Sequence, residues 1–211
     1  MDIYINKIFH SLQGETSLAG FPSLFIRLAG CNLNCIYCDT TYAKSRENSK
    51  LMSIDEIIEI AKQYSFVHHI TITGGEPLIQ KEAFDLIKLL CNASFLVQVE
   101  TNGSISIAEG DRRARYIVDV KTPSSGQDNS FNFKNINVLS CNDEVKFVIS
   151  NQNDYDFAKA FISKHLFETP AIINFSPVFG IMECKSLVDK IIEDDLNVRL
   201  NLQIHKLIGF E

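Results

Sequence analysis

The chain has 211 residues, 45% of them hydrophobic and 22% charged, with a formal net charge of −6. A chain of that length buries a substantial core, and the acidic balance excludes a broad electrostatic grip on nucleic acid, which needs a basic face. The opening "MDIYINKIF" carries charges where a secretory leader needs an unbroken apolar core, and no apolar run reaches the length of a bilayer span, so a cytoplasmic protein with no membrane partner is expected.

Short β-branched runs alternate with segments of helical period. In chain order, the pattern predicts a strand at 23–29, then a helix at 53–65 opened by Ser53 and Glu56 in capping-box spacing. A strand at 69–73, a helix at 81–91 and strands at 95–101, 116–120 and 145–149 follow. A helix at 154–165, a strand at 171–176, a helix at 184–195 and a last strand at 198–204 complete the series. Most of these strands read as apolar on both faces, as parallel strands covered by helices do. The alternation predicts parallel βα units of an α/β protein, a barrel or an open sheet, in a single domain over residues 1–211. Residues 121–142, "KTPSSGQDNSFNFKNINVLSCN", lack a clear period and read as a long loop.

Six cysteines in a reducing compartment are ligands or buried thiols more readily than disulfides. Cys31, Cys35 and Cys38 sit at C-x3-C-x2-C spacing in "AGCNLNCIYCDTTYA", while Cys91, Cys141 and Cys184 are scattered. A structural zinc site closes with four ligands, and half of such a set is present. A thioredoxin-like pair accounts for C-x2-C and leaves the third cysteine over. An iron–sulfur cubane normally takes four thiolates; three would leave one iron open to a small molecule. An open position is what makes a metal centre catalytic.

C-x3-C-x-aromatic-C, with Tyr37 as the aromatic, resembles the signature of the radical S-adenosylmethionine superfamily. "TITGGEP" (71–77) is a Gly-Gly-acid turn at a strand end, and it resembles the superfamily segment that binds the amino group of S-adenosylmethionine. The resemblance implies a full or partial TIM-type βα barrel with its chemistry at the C-terminal ends of the strands. It also implies a 4Fe-4S cluster on Cys31, Cys35 and Cys38, S-adenosylmethionine on its open iron, and an electron donor such as flavodoxin or ferredoxin.

A narrower resemblance runs from the first strand to the C-terminus. "FHSLQGET" (9–16), "VETNG" (99–103), "DVKTPSSG" (119–126), "EVKFVIS" (144–150), "NFSPVFG" (174–180) and "LNLQIHK" (201–206) are similar to the 7-carboxy-7-deazaguanine synthase family. That family contracts the ring of 6-carboxy-5,6,7,8-tetrahydropterin to 7-carboxy-7-deazaguanine with release of ammonia, as a homodimer that uses Mg2+, in queuosine and other deazapurine pathways. The resemblance implies Thr40 as the magnesium ligand and Tyr37, Asp39, Gly74, Gly75, Glu76, Lys121, Pro123 and Ser124 as the S-adenosylmethionine site. It implies Leu12, Gln13, Gly14, Glu15, Thr73, His205 and Glu211 around the substrate, with Arg27 and Thr40 central to catalysis. Thr16 stands where the family usually has glycine.

The residues carry some of this independently. Backbone groups of Leu12 and Gly14, with the Gln13 side chain, offer donors and acceptors to the edge of a ring. Arg27 interrupts an apolar strand, where an unpaired charge is costly, so its partner is an anion. A substrate carboxylate suits its bidentate fork, and an internal ion pair with Glu15 or Glu100 is the alternative. Glu76 has two readings, the methionine amino group or a cap on the following helix. His205 and Lys206, near the end of the last predicted strand, are placed on the far side of the pocket. Two rival functions share part of the pattern: a glycyl-radical activase, with the same cysteine spacing, and a non-catalytic zinc module.

Overall fold

The computed structural model describes residues 1–64 and 66–210. Its frame is a nine-stranded sheet: β1 (Asp2–Leu12), β2 (Pro22–Leu28), β3 (Lys50–Ser53), β4 (His69–Gly74), β5 (Leu96–Thr101), β6 (Arg115–Val120), β7 (Glu144–Ile149), β8 (Ile172–Pro177) and β9 (Arg199–Leu200). The spatial order is β3-β1-β2-β4-β5-β6-β7-β8-β9. From β2 to β9 the run is parallel throughout, whereas β1 lies antiparallel to both its neighbours. The end strands β3 and β9 do not pair with each other, so the βα barrel is partial. Helices α1 (Ile54–Gln63), α2 (Glu82–Asn92), α3 (Gln152–Phe161) and α4 (Cys184–Glu193) follow strands, and α5 (Ile204–Leu207) is a single turn. Among the described residues no helix is long and apolar enough to cross a membrane.

The helices fall where period and caps place them. Ser53 and Glu56 form the expected capping box, with Glu56 N–H donating to Ser53 Oγ (3.2 Å) and Ser53 N–H to Glu56 Oε2 (2.8 Å). The helix expected to run to Ser65 ends at Gln63, where Tyr64 N–H caps onto Ala61 O (3.1 Å); Ser65 itself lies outside the described residues. The helix expected at 154–165 starts two residues earlier and ends in a wider π turn over Ile162–Leu166.

The strands are not apolar on both faces. Ile70, Ile72, Val97, Val99, Val118 and Phe147 join the core beneath the helices. The alternate residues Thr71, Thr73, Gln98, Glu100, Asp119 and Lys146 point to the opposite face, the barrel interior. Helices cover the sheet on its outer face, and the inner face is free to be polar because it houses the site.

Three other elements depart from expectation. Strand β1 carries no clean period in its sequence, because a bulge between Ile5 and Lys7 switches which residues face inward. β3 is a four-residue edge piece on β1. The last strand is short, Arg199–Leu200; Asn201 still donates its N–H to Phe175 O (2.9 Å) and its side chain bonds Ser176 Oγ (2.8 Å) and Thr16 N–H (2.7 Å), before Ile204 N–H turns to Gly14 O (2.9 Å). Residues beyond it leave the sheet as α5. The long loop at 121–142 contains 3-10 turns at Pro123–Ser125 and Phe133–Val138. It is anchored by Phe131 against Phe161 and by the Asn135 amide on the carbonyls of Gly103 and Ile105.

The β1–β2 connection closes the N-terminal mouth of the barrel. Thr16 Oγ1 bonds Gln98 (2.9 Å), and Ser17 N–H donates to Glu144 (2.9 Å), whose other oxygen holds Asn174 and Arg199. Thr16 sits at φ 66°, left-handed backbone that a β-branched residue seldom adopts. A glycine would be unstrained there; the hydroxyl and backbone bonds of Thr16 offset that strain.

Candidate functional site

At the C-terminal ends of the strands, the chain leaves β2 and enters the cysteine loop. Gly30 N–H donates to Ala43 O (2.8 Å) and Cys31 N–H to Lys44 O (3.2 Å), which fastens both ends of the loop. The Gly-Gly turn after β4 packs directly beneath it. Glu76 N–H donates to Gly30 O (2.9 Å), and a Cβ on Gly75 would stand 2.5 Å from Gly30 O and 2.6 Å from Cys31 Cβ. Gly74 leaves equally little room against the Leu28 backbone. Glycine at both positions follows from this close approach of two backbones.

The loop is braced on two more sides. Asn102 Nδ2 bonds Asn32 Oδ1 (3.0 Å) and lies 3.9 Å from Cys31 Sγ. Ile36 N–H donates to Ser125 O (3.0 Å), and the Tyr37 hydroxyl lies 3.4 Å from Thr122 Oγ1, so the "KTPSS" segment runs alongside the cysteines. Within that segment Lys121 pairs with Asp119 (2.8 Å), and Ser124 is tied by its N–H to Asp154 (2.9 Å) and by its hydroxyl to Asn151 (2.8 Å). Pro123 opens the turn between them.

All three loop cysteines are free and half-buried. Among the described residues no three His, Cys, Asp or Glu side chains converge on one point as a single zinc ion requires. A cubane takes each thiolate on a different iron, and the three cysteines of this one loop could supply three of its four ligands. The Thr40 hydroxyl has a weak partner, Cys38 Sγ at 3.9 Å, which leaves its oxygen lone pairs available to a metal. Asp39 is exposed and reaches Lys206 (3.3 Å).

Below the loop lies the polar interior. Arg27 stands opposite Thr73 in the β2–β4 register. Its guanidinium carbon lies 5.7 Å from the ring centroids of both Phe9 and Tyr42, and its buried Nε has no protein acceptor. The alternative ion pair does not form, because Lys146 takes Glu15 (3.3 Å) and Gln13 takes Glu100 (3.1 Å). Glu15 also accepts from Gln203 (2.6 Å). Burial would push the Glu15 carboxyl up, but Lys146 and Gln203 hold it below the usual value. Burial, and then the charge of Glu15, push Glu100 above it.

Two sequence readings change here. Gln13 is spent within the protein, its amide on Thr71 (3.2 Å) and Glu100 and its carbonyl on Glu15 N–H (3.1 Å), so it positions neighbours instead of offering a free edge. Of the two readings of Glu76, the cap is the one observed. Its fully buried carboxylate accepts from Leu78 N (3.0 Å), Thr101 Oγ1 (2.8 Å) and Asn102 N (2.6 Å). Burial nonetheless pushes this carboxyl up to about 7. Glu76→Ala strands three donors and is expected to destabilise the fold by about 3 kcal/mol, lowering the melting temperature by roughly 10 °C in a thermal denaturation scan.

The C-terminal segment crosses the open side of the barrel. Ile204 N–H donates to Gly14 O (2.9 Å), and the His205 ring packs against Gly14 so closely that a Cβ there would collide with it. His205 and Lys206 therefore sit on a helical turn, not on a strand. Leu12 directs its side chain to the helix-facing side, paired with Pro22, and has its backbone to offer the site. Glu211 lies outside the described residues. The sequence reading passed over Asp119 and Lys146, although each is a charge set in an apolar strand, the same signal that singled out Arg27.

Residues 25–164 match the Radical SAM superfamily. The 7-carboxy-7-deazaguanine synthase of Chlorobaculum tepidum is 40% identical, covering 97% of this chain and 93% of its own. That of Methanospirillum hungatei is 41% identical over 97% of this chain and 85% of its own. The crystal structure of QueE from Escherichia coli has the same fold, with a TM-score of 0.80 at 23% identity over 96% of this chain and 94% of that one. Fold, cysteine loop and full-length likeness agree: the chain belongs to the radical SAM superfamily and, within it, to the 7-carboxy-7-deazaguanine synthase family.

Proposed function

We propose that the chain converts 6-carboxy-5,6,7,8-tetrahydropterin to 7-carboxy-7-deazaguanine with release of ammonia. The observation that carries this reading is Arg27, a half-buried side chain whose guanidinium carbon lies near two aromatic rings and whose buried Nε no protein group accepts. A carboxylate on the substrate supplies the missing acceptor and fixes the ring against Thr73. Cys31, Cys35 and Cys38 would hold the cluster, with the Gly-Gly turn and the Lys121–Ser124 segment beside S-adenosylmethionine. When bound, cluster and S-adenosylmethionine together supply the one-electron chemistry that starts the rearrangement.

The protein's own part is positioning and proton handling. The interior separates two carboxyls: Glu15 stays ionised beside Lys146, while Glu100 is pushed toward holding its proton. Carboxyls shifted apart in this way are suited to separate acid and base roles. Thr40 would give one oxygen to Mg2+, the rest coming from water and substrate. Thr40→Val is expected to abolish magnesium stimulation and lower turnover about tenfold, one decade being about 1.4 kcal/mol. Initial rates titrated against Mg2+ check this. Family likeness extends the reading to a cytoplasmic homodimer reduced by flavodoxin or ferredoxin.

The test is an anaerobic reaction with the carboxytetrahydropterin, S-adenosylmethionine and a reductant. Deazaguanine carboxylate forming in step with ammonia supports the proposal. Cleavage of S-adenosylmethionine without that product sinks it, and a radical placed on a partner protein would favour a glycyl-radical activase.

A further inference from the structure

We infer that Asp119 receives a hydrogen bond from the bound small molecule through Oδ1. Asp119 lies on the inner face of β6, paired in register with Lys146 of β7. Its Oδ2 accepts from Lys121 Nζ (2.8 Å) and faces Lys146 Nζ at 3.7 Å. Oδ1 is buried and has no partner, and the residue as a whole is 8% exposed. Leaving a buried charged oxygen without a donor is strongly unfavourable, so a donor is expected there in the working state.

Among the described residues no other buried carboxylate oxygen lacks a partner, and half-buried Glu15 is satisfied too. Lys146 and Gln203 take the two oxygens of Glu15, Ser17 and Asn174 those of Glu144, and three donors fill Glu76. Position narrows the source of the donor. Asp119 stands two residues before Lys121, which begins the segment bonded to the cysteine loop, and it meets Glu15 through their shared Lys146. It therefore lies between the cysteines and the Glu15 end of the interior.

Burial would push the carboxyl up, but Lys121 and Lys146 hold it below the usual value, so it accepts and does not donate. Because two lysines already balance its charge, a neutral N–H or O–H suits it better than another cation. Two molecules could bring that group, a ring N–H of the pterin or a sugar hydroxyl of S-adenosylmethionine. The assignment of these two ligands rests on the proposed function.

Asp119→Asn separates the outcomes. The two lysines require an oxygen, so the amide turns its NH2 toward the ligand and sets donor against donor. On reconstituted protein, the Kd for S-adenosylmethionine is read by calorimetry, and KM and kcat are read for the pterin. A rise of about tenfold or more in the Kd alone places the donor on S-adenosylmethionine, and the same rise in KM alone places it on the pterin. A rise in both supports the inference with a contact shared between them. Unchanged affinities overturn it, as does a fall in kcat alone, which marks a structural role. Where Asp119→Asn fails to fold, Asp119→Glu serves, since it keeps the charge for both lysines and moves the oxygen by one methylene. If the unaltered protein binds S-adenosylmethionine but never turns over the pterin, the proposed function fails, while the Kd arm still judges Asp119.

Discussion

Arg27→Ala lowers kcat/KM for the carboxytetrahydropterin by about 100- to 1,000-fold, with iron content and S-adenosylmethionine binding unchanged. Truncating one member of a buried charge pair costs about 2–5 kcal/mol, because the partner charge stays desolvated. Here the proposed partner is the substrate carboxylate; Lys146 and Lys121 are bound to Glu15 and Asp119, and Lys7, opposite Arg27 on β1 and over the Phe9 ring, is an exposed ammonium without the guanidinium fork. Arg27→Lys restores only part of the rate, for an ammonium cannot match the two-pronged contact or the flat packing between Phe9 and Tyr42. Steady-state kinetics on the two variants, each loaded with cluster, settle the point. Near-native kcat/KM in Arg27→Ala would place the carboxylate elsewhere.

Gly75→Ala is expected to disable the enzyme although Gly75 is not a ligand of the cluster. Its new methyl would press on the Gly30 carbonyl at 2.5 Å and on Cys31 Cβ at 2.6 Å. Backbone cannot move aside as a flexible side chain does, so the cysteine loop shifts, and with it the first thiolate. A displacement on the order of 1 Å in a reacting group lowers turnover about a hundredfold. Iron per chain and turnover are measured together on the variant. A normal iron content with normal turnover would show that the contact between turn and loop is slack.

Much of this architecture is legible in the sequence because its signals are local. Cysteine spacing, the Gly-Gly turn and an arginine in an apolar strand each announce themselves within a few residues. The helices are legible for the same reason, as Ser53 and Glu56 show. What escaped is whatever depends on which face of a strand a residue occupies. Asp119 and Lys146 meet only because β6 and β7 are in register on the inner face, and neither strand alone says which face is inner. Gln13 reads as a free ring-edge partner until Thr71 and Glu100, from two other strands, are found to claim it. Strand β1 is hidden by its bulge, and the turn after β9 by a contact distant in sequence, Ile204 N–H on Gly14 O.

Cys31, Cys35 and Cys38 would hold a cluster whose fourth position is open for S-adenosylmethionine. Electron paramagnetic resonance of the reduced, anaerobically reconstituted protein is the decisive measurement, with and without S-adenosylmethionine labelled with 15N at the amino group. The expected result is a 4Fe-4S signal that changes on addition and shows coupling to the 15N nucleus. A colourless protein holding zinc, or a cluster signal indifferent to S-adenosylmethionine, would contradict it.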